Sequence, residues 1–194
     1  MILVEVIFFS NMSIPSLISS LEQHARDFPL EKSYTDQTID WIREYGEFAF
    51  VKDNTLGHIT GSMLITNIEK TKVLLMFHKK LQFWVQFGGH CDGETHVLAV
   101  AIREFHEESG IEIEPVIHDG IFDIHVHSIP VDRKWTPPHI HHDILYLATI
   151  PEDTPFVRQE SEVDDIRWFD IDTIWEYIAE ERMLYMMDKI KQLA

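Results

Sequence analysis

Val97, Leu98, Ala99, Val100, Ala101, Ile102 and Phe105 form an apolar run that ends in four charged residues, Arg103, Glu104, Glu107 and Glu108. A helix over this run is apolar nearly all round, so it must lie between other layers rather than on a free surface. The acidic end is therefore carried by a buried stem. Gly110, directly after Ser109, supplies a left-handed C-terminal cap, and Asp92 or Thr95 is placed to cap the start. Gly88 and Gly89, just upstream, leave the backbone free to turn tightly and to offer its own groups to a ligand.

At about 100° per residue, Glu104, Glu107 and Glu108 fall within roughly 100° of one another around that helix. Their carboxylates can then converge on a hard cation. Three like charges so close need an offset, either a bound metal or Arg103, which stands one turn from Glu107.

The run Arg103-Glu104-Phe105-His106-Glu107-Glu108-Ser109-Gly110-Ile111 resembles the second half of the Nudix box at every position. The first half departs from the family pattern. Glu94 follows Gly89 after four residues, and Thr95 stands where the family has its first glutamate. The resemblance extends in element order over roughly residues 55 to 180, including the GHITGSMLI strand, KVLLMFHKKLQFWVQFGG and the closing ESEVDDIRWFDID. It implies an α+β fold, a Nudix-type α/β/α sandwich with a mixed sheet. It also implies hydrolysis of a diphosphate linkage in a nucleoside diphosphate joined to another moiety, with Mg²⁺ or Mn²⁺ as cofactor.

In that scheme Glu104 and Glu108 are metal ligands, Glu107 is a ligand or its close support, and a main-chain carbonyl near Gly88 is a further donor. Arg103 orients a glutamate through a bidentate contact. Glu162, six positions before Trp168, is the candidate general base, with Glu160 as runner-up. His78, His90 and His127 are candidate substrate contacts.

With 194 residues and 45% hydrophobic content, the chain suits a single well-packed globular domain with an appendage. We expect an N-terminal helical extension over residues 1–46 and the catalytic domain over 47–194. Met12 is an alternative start that would make residues 1–11 an upstream extension. The apolar opening MILVEVIFF contains Glu5, lacks a basic flank and is too short to span a bilayer. A formal charge of −17 disfavours nucleic acid as a partner, and a small nucleotide-type substrate is expected instead. Lys79-Lys80 and Lys189 to Lys191 read as solvated ends. The single cysteine, Cys91, excludes an internal disulfide and suits a reducing, cytoplasmic setting.

Ile14, Leu17, Ile18 and Leu21 predict a first helix ending before Phe28-Pro29, and a second is expected after Thr35 or Asp36 up to Gly46. Their apolar stripes are natural candidates for a partner surface in a homodimer. Strands are predicted over 48–51, 58–66, 72–77, 83–87, 120–127, 142–150 and 166–169. A helix capped by Asp170 or Asp172 carries Ile174, Trp175 and Ile178, and continues or breaks before residues 183–193. The proline-rich segment SIPVDRKWTPPHI is expected on the substrate side.

Asp123, His125 and His127 alternate on one predicted strand, and His139, His141 and Asp143 on the segment that returns, so the two sets face each other if the segments pair. The His125/His127/His139/His141 cluster then suits a transition metal, substrate phosphates or a hydrogen-bonded network. Trp84 and Trp135 are candidates for ring stacking or for core. Two other functions compete with hydrolysis. One is a catalytically silent nucleotide-binding module. The other is an isomerase of the isopentenyl-diphosphate type, invited by Cys91 in the glycine loop.

Overall fold

The structure is a computed structural model, and it describes residues 13–130 and 137–193. The alternative start at Met12, the apolar opening and Trp135 lie outside those residues. The helices are α1 (Ile14–Asp27), α2 (Lys32–Tyr45), α3 (Val97–Ser109) and α4 (Glu181–Gln192). The strands are β1 (Gly57–Thr66), β2 (Lys72–His78), β3 (Phe83–Val85), β4 (Phe87–His90), β5 (Val116–Ile117), β6 (Asp123–Ile129), β7 (His139–Thr149) and β8 (Val163–Asp170).

All ten residues of β1 are buried, which suits a strand covered on both faces. One edge of β1 pairs in parallel with β7 along its whole length, from Gly57 opposite Ile140 to Thr66 opposite Thr149. The other edge is shared, with β4 antiparallel along residues 60–63 and β2 at residues 65–66. β6 extends the sheet beyond β7, and β8 pairs with β2. Mixed pairing with helices on both faces is the architecture expected.

Two apolar clusters occupy the two faces of this sheet. Ile59, Met63, Phe87 and Ile144 pack with Val97, Val100, Ala101 and Phe105 of α3 and with Leu17, Leu21, Ile39 and Ile42 of the N-terminal helices. Leu64, Val73, Leu75 and Leu147 pack on Met183, Met186, Met187 and Ile190 of α4. Each fully buried side chain of this size contributes about 1.5–3 kcal/mol. The stripes of α1 and α2 that suggested a partner surface are thus turned into the chain's own core.

A buried ionic network strengthens that attachment. Glu31, fully buried, lies 2.7 Å from His24 Nε2 and 2.5 Å from Lys189 Nζ, and accepts from Tyr185 Oη at 2.9 Å and the Ile124 amide at 3.0 Å. Lys189 also donates to the Phe122 carbonyl, and Arg182 pairs with Asp123. Lys189 is therefore a buried partner rather than a solvated end: its amphipathic helix turns it inward toward acceptors 66 to 158 positions away.

Other local expectations shift. α2 starts at Lys32 because a 3-10 turn over Pro29–Glu31 feeds it directly, leaving Thr35 inside the helix with its hydroxyl donating to the Glu31 carbonyl. Residues 46–50 form a 3-10 turn that buries Ala49 and Phe50, not a strand. The run 83–87 divides at Gln86: β3 pairs with β2, and β4 crosses to β1, carrying the two glycines into the sheet. After β8 a 3-10 turn at Ile174–Glu176 ends before α4 begins. Among the described residues no helix is long and apolar enough to cross a membrane.

Candidate active site

α3 is capped at its start by His96, whose side chain accepts from the Ala99 amide at 3.0 Å, so neither Asp92 nor Thr95 has that task. Glu94 accepts from the His96 amide at 2.7 Å and so supports the helix start. Gly110 ends the helix in the left-handed conformation, at φ 63°. The buried stem directs Glu104 and Glu108 toward β4.

Glu108 is 3% exposed and accepts from the Gly88 amide at 2.9 Å. Burial pushes its carboxyl up to about 8. The Gly88 bond opposes this rise, while the charges of Glu104, Glu162 and Glu107 add to it. Glu104 is raised for the same leading reason, burial, with Arg103 opposing. Its carboxylate lies against the backbone of Gly89, where a Cβ would stand 2.6 Å from Glu104 Cδ. Glu107 is about half exposed at the open side of the group.

Arg103 serves two carboxylates through one nitrogen, with Nη1 at 2.8 Å from Glu104 and 3.5 Å from Glu107. Nη2 donates to the His90 carbonyl at 3.4 Å, so the guanidinium bridges α3 and β4 instead of gripping one glutamate bidentately.

Glu162 stands on the segment before β8, near enough for its charge to act on both Glu104 and Glu108. That segment is moored to the end of α3. The Val157 amide donates to the Ser109 carbonyl at 2.9 Å and the Gln159 amide to the Glu108 carbonyl at 3.2 Å. The Lys79 amide donates to the Glu162 carbonyl at 2.8 Å. His78 lies at the same end of β2, within reach of the Glu162 charge, and burial lowers its pKa. Glu160 offers a carbonyl to Lys79 Nζ at 2.9 Å.

Glu104, Glu107 and Glu162 act by charge on the buried Glu108, and hard oxygen donors of this kind suit a divalent cation such as Mg²⁺ or Mn²⁺, although among the described residues the side chains that already stand at metal-holding spacing are His58, His90 and His141. Cys91 does not join them. It is 2% exposed and burial pushes its thiol up, which leaves a small protonated filler rather than a proton shuttle. Trp84 packs edge-on against Phe77 and Phe169, under the Arg167 guanidinium.

A family model described as the NUDIX domain matches residues 58–190, more than half of the chain. The chain belongs to the Nudix family. Solved Nudix-type structures share the fold at low identity. A NUDIX-family hydrolase from Clostridium perfringens superposes with TM-score 0.55 at 23% identity, covering 71% of this chain and 98% of that one. A C. elegans Ap4A hydrolase in a binary complex gives 0.51 at 17% identity, covering 70% and 96%. The NUDIX domain of Shewanella oneidensis NrtR, complexed with ADP ribose, gives 0.52 at 15% identity, covering 70% and 86%. No curated protein matches the chain by sequence.

The other predicted residues divide by sheet face. β6 and β7 pair antiparallel, with His127 opposite His141 and His125 opposite Asp143, as the alternation suggested. Asp123 instead turns to Arg182 and Lys189. Residues alternate in direction along a strand, so His90 points away from the face on which Gly89 meets Glu104. His90 and His127 consequently lie with His141, away from the Nudix glutamates, while His78 stays beside Glu162. Sequence reasoning missed His58, Thr60 and Ser62. Thr60 and Ser62 donate to the buried Asp143 at 2.8 and 2.6 Å. Their alternation with His58 along β1 is the one signal that pointed to them.

Proposed function

We propose that this Nudix chain is a Mg²⁺- or Mn²⁺-dependent pyrophosphohydrolase acting on a nucleoside diphosphate joined to another moiety. What supports this reading is the Nudix family match together with the acidic end of α3, where burial and the charges of Glu104, Glu162 and Glu107 push the Glu108 carboxyl up to about 8. Such a concentration of negative charge is stabilised by a cation.

A diphosphate resists attack because its oxygens repel a nucleophile and water is a weak one. When bound, Mg²⁺ or Mn²⁺ supplies charge neutralisation and a more acidic water. Glu104 and Glu108 would hold the ion, with Glu107 and a main-chain oxygen near Gly88 as further donors. The Gly88 amide donates to one oxygen of Glu108, which would leave the other for the ion. Arg103 keeps Glu104 and Glu107 apart from each other's full repulsion and ties both to β4. Glu162 takes the proton of the attacking water, and His78 contacts the substrate phosphates beside it.

We further propose that the enzyme works in the cytoplasm on a small molecule. Because two structural neighbours are an Ap4A hydrolase and a NUDIX domain complexed with ADP ribose, we would test dinucleoside polyphosphates and ADP-ribose first, in a substrate panel with nucleoside triphosphates and coenzyme A. Phosphate and nucleotide release should appear with Mg²⁺ or Mn²⁺ and vanish with EDTA. Tight binding of a panel compound with no product on long incubation would establish a silent binding module instead.

A further inference from the structure

Three histidines converge on the sheet face opposite the glutamates. His58 on β1, His90 at the end of β4 and His141 on β7 place one ring nitrogen each within 4.8 Å of one another. Their ring centroids form a triangle with sides of 4.9, 4.7 and 5.4 Å. The register makes this convergence rigid, because β1 lies between the other two strands, paired through His58 opposite His141 and Thr60 opposite His90.

His58 is the anomaly. It is 3% exposed, and neither ring nitrogen makes a hydrogen bond, although the Asn54 backbone lies near enough to favour its charged form. Burying an imidazole with both nitrogens unmet costs about 1–3 kcal/mol for each group left unsatisfied. The neighbouring rings cannot repay that cost as cations. Burial lowers the pKa of His58 to about 4 and of His141 to about 2, and lowers that of His90. A neutral imidazole is the form that ligates transition metals, and three of them meet here through the geometry of the sheet.

We propose that His58, His90 and His141 bind one borderline divalent transition ion of the Zn²⁺ class, with a fourth position open to water. Three nitrogen donors select this class over Mg²⁺, which prefers the oxygen donors of α3. With metal–nitrogen distances of about 2.0–2.1 Å, a tetrahedral site needs its nitrogens about 3.3 Å apart. His90 and His141 are only partly buried, and a shift of their rings is what the present triangle needs to close to that size. His139 is in ring contact with His58 and holds its Nε2 3.1 Å from that of His141, so it orients a ligand. The ion pins the end of β4 to β1 and β7, and β4 is the strand whose Gly88 amide holds Glu108. This inference does not depend on the hydrolase reading, because it concerns the other face of the sheet.

The test is a Co²⁺ titration of the chelator-stripped full chain in excess Mg²⁺, which occupies any oxygen-donor site. One Co²⁺ per chain should bind with the strong visible absorption of a four-coordinate nitrogen-ligated centre, raise the thermal midpoint and be displaced by Zn²⁺. His58→Gln and His141→Gln should each weaken binding more than about 100-fold, since even an outer partner of a metal site is worth about 10–100-fold. Glu108→Gln should leave the absorption unchanged. No absorption band in the wild type overturns the proposal, as does a band undiminished in a folded His58→Gln or His141→Gln. Should His58→Gln fail to fold, the wild-type titration and the more exposed His141→Gln decide the matter.

Discussion

Gly89 lies so close to Glu104 that a methyl group on its Cα would stand 2.6 Å from the carboxylate carbon. The absence of a side chain at one position of β4 thereby sets where a carboxylate of α3 can rest. Gly89→Ala pushes back only the flexible end of Glu104, so thermal stability should change little. Displacing a reacting group by about 1 Å can cost about 100-fold, and kcat should fall on that scale. Steady-state kinetics beside a thermal melt check both parts. An unchanged kcat would show that the position of Glu104 is unimportant.

Glu108→Gln separates stability from function. The amide keeps an oxygen to accept from Gly88 and removes a buried acid that is crowded by Glu104, Glu107 and Glu162. The folded state should be as stable as wild type or slightly more so, while turnover with Mg²⁺ drops by about 100-fold or more, as for loss of one preorganised electrostatic group. Denaturant midpoints and turnover measured on the same preparation decide it, and a variant that keeps wild-type turnover would refute the glutamate platform.

Gly110→Ala acts on the moored segment. The residue sits at φ 63°, and its Cβ would press into the Val157 carbonyl. The left-handed conformation alone costs a non-glycine residue about 1–2 kcal/mol. Stability should fall by at least that amount at constant denaturant m-value. The segment leading to Glu162 should loosen at Val157 and Gln159, measurable as faster amide exchange there. Glu162→Gln, by contrast, should spare stability and reduce kcat by about 10²–10⁴-fold, the usual worth of a general base.

Acidification should reveal Glu31. Burial would raise its carboxyl, but the bonds from His24 and Lys189 outweigh burial and hold it at about 2, below the ordinary 4.5. A carboxyl depressed in the folded state contributes stability that is complete above about 4.5 and is lost as pH falls from there toward 2. Glu31→Gln leaves the buried Lys189 without its nearest anion and should cost about 3–5 kcal/mol at pH 7. Urea titrations of wild type and variant should converge between pH 4.5 and 2. A gap that stays constant over that window would mean that Glu31 is not ionised in the native state.

The amphipathic pattern of α1, the apolar stem of α3 and the acidic run at its end were legible from residue order, because each depends on neighbours three or four positions apart. The same locality explains the misplacements. Residues 48–51 have the composition of a strand, yet residues 46–50 close into a 3-10 turn that buries Ala49 and Phe50. The run 83–87 looks continuous, yet β2 takes one half and β1 the other.

By itself the sequence determined that an apolar helix must be buried and must present Glu104, Glu107 and Glu108 together, since helical geometry allows no other arrangement. It also determined that His125 and His127 share a strand face with each other, as do His139 and His141. Only the tertiary structure decided that His58 and His90 join His141, that Glu31 meets Lys189 across 158 positions, and that Glu162 returns to α3. Those meetings depend on strand order and register, which are set by the burial of whole faces against one another and not by any local run of residues.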